Sequence, residues 1–238
     1  MTEQQQAVYV PPKKKNVGMW ATVGLLVVIV VVAVVFAESP EPAPVADASL
    51  ETGLLGAADF PTGFYVSNMT QAELDELPTS EMPETVNPTE CSELLRDVEP
   101  VRESQSIAVV QASDAEHGVW YTQTVVRASE VPDFDPVRAD AILEACAEMI
   151  YRDKDGFLAT VYASRVDGVV GEGYARTVGT AEDYGMGGFT VAAAVTKVEA
   201  HIVVFVGVGA YNAFGPMLDE VEFVRLANAA NDLVRSAL

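Results

Sequence analysis

The feature that constrains this chain most is an uninterrupted apolar block at residues 17–37, with the sequence VGMWATVGLLVVIVVVAVVFA. A helix of about 21 residues is roughly 30 Å long, which matches the hydrocarbon core of a bilayer. Val and Ile favour strands in water, but in lipid a lone segment can satisfy its backbone hydrogen bonds only as a helix. The block therefore predicts a single transmembrane helix.

The charges beside the block predict its orientation. Lysines at 13–15 precede it, and Glu38 and Glu41 follow it. Because positively charged flanks stay in the cytoplasm, the N-terminus is expected inside and the rest of the chain outside the cell membrane. A cleaved signal peptide is the alternative, since Val35 and Ala37 fit a small-residue cleavage rule, but the block is longer than a usual signal core.

Composition divides the chain around this helix. Residues 1–16 form a polar cytoplasmic tail, and residues 38–49 form a linker rich in Pro, Ala and acidic residues. The prolines favour an extended, stiff spacer. Residues 50–238 remain for an extracytoplasmic domain, which is long enough to bury one core.

The net charge of −21 limits the partners of this domain. Binding to nucleic acid requires a basic face, so it is not expected, and neither is adhesion to anionic lipid headgroups. The acidic surface either keeps the domain soluble or attracts cations or a basic partner.

Two cysteines, Cys91 and Cys146, both lie on the predicted outer side. An even count in an oxidising compartment predicts one disulfide. It would close a loop of roughly 55 residues and stabilise the fold by about 4 kcal/mol.

Runs of β-branched and aromatic residues separated by turn residues predict strands. Asp167-Gly168 is a strong signal for a hairpin turn, and Ser113 to Gly118 is a second turn. The six predicted strands are residues 106–111, 119–127, 157–166, 169–178, 189–197 and 200–208.

Capping residues and apolar periodicity predict helices between and after these strands. The residues 50–55 form a weak helix, Thr70 to Glu73 form a capping box, and Asn87 caps a helix carrying Cys91. A further helix is expected from 135 to 151, and a long C-terminal helix opening at Gly215-Pro216. The order of elements predicts an α+β fold with an antiparallel sheet of about six strands packed by helices.

No motif in the sequence predicts catalysis, a metal site or a cofactor. His117 and His201 lack neighbouring residues at metal-ligand spacing, and Asp153 to Gly156 lacks the Glu that closes a calcium loop. Gly168 to Gly173 does not match a dinucleotide-binding fingerprint, so its glycines are expected in a bulge or a crowded contact. Tyr184 to Gly188 is interpreted as a connector between strands.

Several short motifs together resemble a known family. They are Leu54-Leu55, Asp59-Phe60-Pro61-Thr62-Gly63-Phe64, Pro88-x-x-Cys91, a helix bearing Cys146, four strands and a closing helix. This arrangement resembles the PknH-like extracellular sensor domains of actinobacteria and related envelope lipoproteins, over residues 50–238. The resemblance implies an α+β domain with a ligand-binding cleft. The chain departs from it in having two cysteines rather than four and no kinase.

The resulting hypothesis is a membrane-anchored, noncatalytic domain that binds an envelope lipid, glycan or peptide. One alternative is an accessory subunit that docks on a membrane-protein partner. A cell-wall enzyme is the third reading. The sequence identifies no ligand-binding residue for any of them.

Overall fold

The protein is described here by a computed structural model that covers residues 45–75, 84–87, 89–90, 106–130, 136–152, 158–180, 189–212, 215–216 and 218–238. The strands are β1 Val45–Ala46, β2 Tyr65–Asn68, β3 Glu84–Asn87, β4 Ser106–Asp114, β5 Val119–Arg127, β6 Glu148–Arg152, β7 Leu158–Arg165, β8 Glu172–Thr180, β9 Phe189–Val198, β10 His201–Asn212 and β11 Gly215–Pro216. The α-helices are α1 Gln71–Asp75, α2 Pro136–Ala145 and α3 Glu220–Ala237, and two short 3₁₀ helices span Ala48–Gly53 and Ala128–Glu130.

The strands form one sheet in the order β1-β4-β5-β10-β9-β8-β7-β6-β3, with β2 also beside β4 and β11 beside β10. Among the described strands only β1 pairs in parallel, with β4. Six strands are long, namely β4, β5 and β7 to β10, and each overlaps one of the six predicted strands. The predicted α+β class and the number of main strands are therefore confirmed.

Several local predictions also hold. The backbone N–H of Thr70 donates to Glu73 Oε2 at 2.7 Å and that of Glu73 to Thr70 Oγ1 at 3.4 Å, which confirms the capping box before α1. Asp167 and Gly168 lie in the turn between β7 and β8, and Gly168 has a φ of +86°. Ala48–Gly53 is helical, as a 3₁₀ helix.

The helix predicted from 135 to 151 is wrong in its second half. Helix α2 ends at Ala145, and Glu148–Arg152 forms β6, which pairs with β7 from Glu148↔Tyr162 to Arg152↔Leu158. The apolar positions fit a helical period, but the segment also contains β-prone residues. Its pairing with a neighbouring strand therefore overrides the local pattern.

The predicted start of the C-terminal helix is also wrong. Gly215–Pro216 is strand β11, paired with the end of β10, and α3 begins at Glu220 with Asp219 as its N-cap. Pro216 thus lies in a strand pairing, although Gly215-Pro216 fits a helix start. Asn87 is the last residue of β3 and residues 89–90 are helical, so a helix begins close to the predicted start.

The core lies between α3 and one face of the sheet. The buried face of α3 is formed by Phe223, Leu226, Ala227, Ala230 and Val234. It packs on inward-facing residues of β9 and β10, such as Ala194, Val203 and Phe205. The alternate residues of these strands, including Val204 and Val206, are also buried, so β10 is apolar on both faces.

Strand β1 begins at Val45, inside the segment that composition assigns to the linker. β1 pairs with β4, and the Asp47 carboxylate forms an ion pair with Arg127 at 2.6 Å. Residues 17–37 lie outside the described part of the chain. Within the described part, no helix is both long and apolar enough to cross a bilayer.

Candidate functional site

Two glycines on β10 let the N-terminal end of α3 lie directly on the sheet. A Cβ atom at Gly207 would lie 2.9 Å from Phe223 Cδ2, and one at Gly209 would lie 2.3 Å from the backbone N of Leu218. Both are too short for real contacts, so only glycine fits. This close approach brings the first turn of α3 beside the end of β5.

A loop of residues 54–64 is anchored opposite that turn. The Gln123 side chain is fully buried on β5; its Oε1 accepts from the Leu55 N–H at 2.7 Å and its Nε2 donates to the Gly53 carbonyl at 2.7 Å. Farther along the loop, Arg225 of α3 donates to the Asp59 carbonyl at 2.7 Å. Both attachments hold the loop against the sheet and the helix.

A cleft of about 620 Å³ opens between this loop, the ends of β4 and β5, and the N-terminus of α3. Its volume is typical of small-ligand sites. The described residues that line it are Ala58, Asp59, Phe60, Pro61, Phe64, Asp114, Val119, Tyr121, Asp219, Glu222 and Arg225.

The apolar wall of the cleft is a continuous run of aromatic rings. The Phe64 and Tyr121 ring centroids are 5.5 Å apart, and Tyr121 stacks on Phe205 at 5.8 Å. Phe205 in turn contacts Phe223 at 5.6 Å, and Phe60 lies 6.4 Å from Phe64. Because the inner rings belong to the core, the wall is rigid.

Two carboxylates of the cleft have local structural partners. Asp219 Oδ1 caps α3 by accepting from the N–H groups of Val221 at 2.9 Å and Glu222 at 3.3 Å. Asp59 Oδ2 accepts from the Gly56 N–H at 2.8 Å. These bonds fix the position of each negative charge.

The remaining two carboxylates contact basic side chains. Asp114 Oδ2 lies 2.7 Å from Nδ1 of the exposed His117, and this hydrogen bond lowers the pKa of Asp114 and raises that of His117. Glu222 accepts from Arg225 Nε at 2.8 Å and from Nη2 at 2.6 Å, which raises the pKa of Arg225. The only lining guanidinium among the described residues is therefore already paired.

Tyr121 differs from these groups. The residue is only 2% exposed, and no hydrogen bond joins its hydroxyl to another described residue. Because no buried side-chain oxygen of the described residues lacks a partner, this hydroxyl must be open to the solvent of the cleft. Burial, with the nearby charges of Glu222 and Asp219, raises the pKa of Tyr121 far above its ordinary value. The hydroxyl is thus a neutral donor and acceptor at the wall of the cleft.

The structure separates the residues that the sequence singles out. His117 reaches the cleft through Asp114, whereas His201 opens β10 opposite Arg127 and Val198. Within the described residues, no group of three or more His, Cys, Asp or Glu side chains is arranged to hold a metal ion. Asp153 to Gly156 and Tyr184 to Gly188 lie outside the described residues.

Cys146 is fully buried just after α2. Cys91 lies outside the described residues, so its pairing with Cys146 stays a prediction. The glycine-rich turn has a packing role, because a Cβ at Gly171 would lie 2.3 Å from Thr196 Oγ1.

The cleft itself escapes the sequence prediction, although its parts leave signals. The loop contains the motif Asp59 to Phe64, on which the family resemblance rests. Glycines two positions apart in a buried strand, Gly207 and Gly209, mark a place where another element approaches closely. Neither signal shows that β5 and α3 complete a cleft with this loop.

No protein-family model matches the sequence, and a search of curated proteins finds no match. Among solved structures, the chain is similar to an uncharacterized protein from Mycobacterium smegmatis, the Rv0999 ortholog, with 18% identity and a TM-score of 0.47 over 75% of this chain and 92% of that one. It is also similar to the extracellular domain of PknH from Mycobacterium tuberculosis, with 11% identity and a TM-score of 0.44 over 79% of this chain and 98% of that one. The resemblance to PknH-like domains that the motifs indicate is therefore also found among solved structures. The similarity assigns no ligand or activity to any residue of this chain.

Proposed function

We propose that this chain is a membrane-anchored, noncatalytic extracytoplasmic domain that binds a cell-envelope ligand in the cleft beside α3. The observation that carries the proposal is the cleft of about 620 Å³, into which the Tyr121 hydroxyl opens from an otherwise buried residue. A ligand in the cleft can take the place of the water that this hydroxyl otherwise contacts and can hydrogen bond to it.

Rigidity supports binding at this place. Gln123 and Arg225 hold the loop that forms one side of the cleft, and the aromatic wall continues into the core. A site that is already formed loses little conformational entropy when a ligand enters it. A cleft built in this way favours binding over a role as a simple spacer.

The carboxylates favour binding over catalysis. A general acid at neutral pH needs a raised pKa, but the hydrogen bond from His117 lowers the pKa of Asp114. Asp59 and Asp219 accept backbone hydrogen bonds that hold the loop and the helix start. Their charges are therefore positioned to attract a ligand rather than to transfer protons.

The topology that goes with this function has three parts. Residues 1–16 are a cytoplasmic tail, residues 17–37 are the membrane anchor, and the remaining chain lies outside the cell membrane. The proposal includes a disulfide between Cys91 and Cys146. Mass spectrometry of unreduced peptides is expected to find these two cysteines linked, and free thiols on protein isolated from membranes would refute the disulfide.

The binding test uses the full chain purified in a mild detergent. Cell-envelope extract is added, and retained compounds are identified by mass spectrometry while the shift in melting temperature is recorded. Ala58 is exposed and lines the cleft, so Ala58→Trp is expected to fill it and abolish retention. Ala57→Trp is the matched control, because Ala57 is exposed beside the cleft without lining it. Retention that is equal in both variants, or absent from the wild type, would contradict the proposal.

An accessory-subunit role has one observation in its favour on the opposite face of the sheet. Tyr65 and Trp120 are both neighbours of Ser113 on β4, so they share that face, and they are 73% and 37% exposed. Exposed aromatic rings are enriched at protein interfaces. Crosslinking in intact cells is expected to capture a membrane-protein partner in this case, and adducts of the chain with itself alone would exclude it.

A further inference from the structure

We propose that the cleft recognises its ligand through a protonated amine on a small organic molecule. This inference rests on the proposed function and names the chemistry of the group that the cleft holds. The candidate ligands share one feature, an ammonium group on a body small enough for a cleft of about 620 Å³.

Charge is the first argument. Asp59, Asp114, Asp219 and Glu222 line the cleft, and Arg225 is the one basic residue among its described lining. Glu222 binds this guanidinium through two hydrogen bonds and the charge of Asp59 also acts on it, so one lining cation stands against four carboxylates. His117 contacts Asp114 from an exposed turn and remains outside the lining. The cleft therefore favours a positive ligand over a neutral or negative one.

The aromatic wall is the second argument. Cations are attracted to the faces of aromatic rings, and Phe60, Phe64 and Tyr121 line the cleft together. The Tyr121 hydroxyl is neutral and can accept a hydrogen bond from an N–H group. Carboxylates, ring faces and a phenol oxygen together suit an ammonium group attached to an apolar body.

A metal ion suits the cleft less well. The carboxylates are held apart by separate local partners, as Gly56 binds Asp59 and Val221 binds Asp219. No described group of His, Cys, Asp or Glu converges in the way that metal coordination requires. The rings that form the wall offer no metal ligand.

The experiment measures binding of cadaverine and of the diol of the same length to the full chain in detergent by calorimetry. The diamine is expected to bind and the diol is not. Asp219→Asn keeps the helix cap, because Asn and Asp cap equally well, but removes one charge from the cleft. It is expected to weaken diamine binding up to about fivefold, the effect of one partly exposed charge. Asp232→Asn removes a charge from the exposed side of the same helix and is expected to change binding by less than about twofold.

Two further pairs of compounds distinguish the source of the amine. Glucosamine is compared with N-acetylglucosamine, and lysinamide with its Nε-acetyl form. Preferential binding of glucosamine identifies an amino sugar, and preferential binding of lysinamide identifies a peptide side chain. Either result supports the proposal. Higher salt is expected to weaken binding of the amine, because it screens the attraction between the ammonium group and the carboxylates.

The proposal is overturned if the acetylated and hydroxyl compounds bind as well as the amines, or if Asp219→Asn and Asp232→Asn behave alike. It is also overturned if no amine binds. If a neutral or anionic envelope compound is then retained by the wild type and lost in Ala58→Trp, the proposed function stands without the amine. If the wild type retains no envelope compound either, both the proposed amine recognition and the proposed function are contradicted.

Discussion

The two ends of α3 contact the rest of the protein in opposite ways. Toward its C-terminal half, Asn228 Oδ1 accepts from the Val170 N–H at 2.8 Å and Asn228 Nδ2 donates to the Gly168 carbonyl at 2.9 Å. The buried Asn231 donates to the Val170 carbonyl at 3.0 Å and to Thr196 Oγ1 at 3.1 Å. We call this contact the closed end, because its polar groups pair with one another.

At the N-terminal end of α3, which we call the open end, the cleft leaves the Tyr121 hydroxyl and several carboxylate oxygens directed to solvent or to a ligand. Both ends carry polar groups, so polarity alone does not distinguish them. The difference is whether the groups are paired within the fold. Paired groups at the closed end specify how the turn between β7 and β8 packs, whereas the Tyr121 hydroxyl at the cleft, which hydrogen bonds to no described residue, is available for binding.

The largest expected effect on stability comes from replacing a glycine of the closed end. Gly171 has a φ of +102°, and a Cβ there would also lie 2.9 Å from the Val195 carbonyl. Gly171→Ala therefore combines backbone strain with overpacking and is expected to lower the free energy of unfolding by about 3 kcal/mol. Denaturant titration of the full chain measures this loss.

Gly63 supplies the matched control in the cleft loop. Its φ is +104°, but no atom lies within 4 Å of a Cβ added there. Gly63→Ala is expected to cost only the strain, about 1 kcal/mol. Equal losses in the two variants would show that the closed end is no more tightly packed than the cleft loop.

A smaller loss of stability is expected from replacing the buried amide of Asn231. Asn231→Leu keeps the size of the side chain but removes two hydrogen bonds at a position that is 2% exposed. It is expected to lower the free energy of unfolding by about 2 kcal/mol. Hydrogen exchange of the turn at 166–171 is also expected to become faster, since Asn231 holds its backbone. An unchanged turn would mean that Asn228 and Thr196, which also hydrogen bond to the turn, are enough to close this end.

Tyr121→Phe tests the open end with almost no expected effect on stability. The substitution keeps the ring that stacks on Phe205 and removes a hydroxyl without a described partner. The free energy of unfolding is expected to change by less than about 0.5 kcal/mol, whereas binding of cadaverine weakens. A loss of stability similar to that of Asn231→Leu would make the hydroxyl structural and remove the contrast between the two ends.

The sequence predicts the closed end better than the open one. The Asp167-Gly168 turn and the apolar period of α3 are local patterns, and both are visible in consecutive residues. The cleft combines a loop near residue 60 with Tyr121 and Glu222, so its geometry depends on the sheet order. The error after Ala145 has a related cause, because pairing with β7 makes a strand of residues whose own pattern fits a helix.

The smallest effect is expected at the rim of the cleft, where His117 reports on the charge of Asp114. The hydrogen bond and the charge of Asp114 raise the pKa of His117, so NMR titration is expected to give a value above the ordinary one of about 6.5. A raised pKa stabilises the fold below the ordinary value, and this contribution is lost as the pH rises through the folded pKa. The lowered pKa of Asp114 acts with the opposite sign, so its contribution is lost as the pH falls through its own folded pKa. The ion pair therefore exists between these two pKa values.

Asp114→Asn is expected to return the pKa of His117 to about 6.5. A pKa that stays raised in this variant would show that other charges at the open end act on His117, and that Asp114 is not its partner in solution.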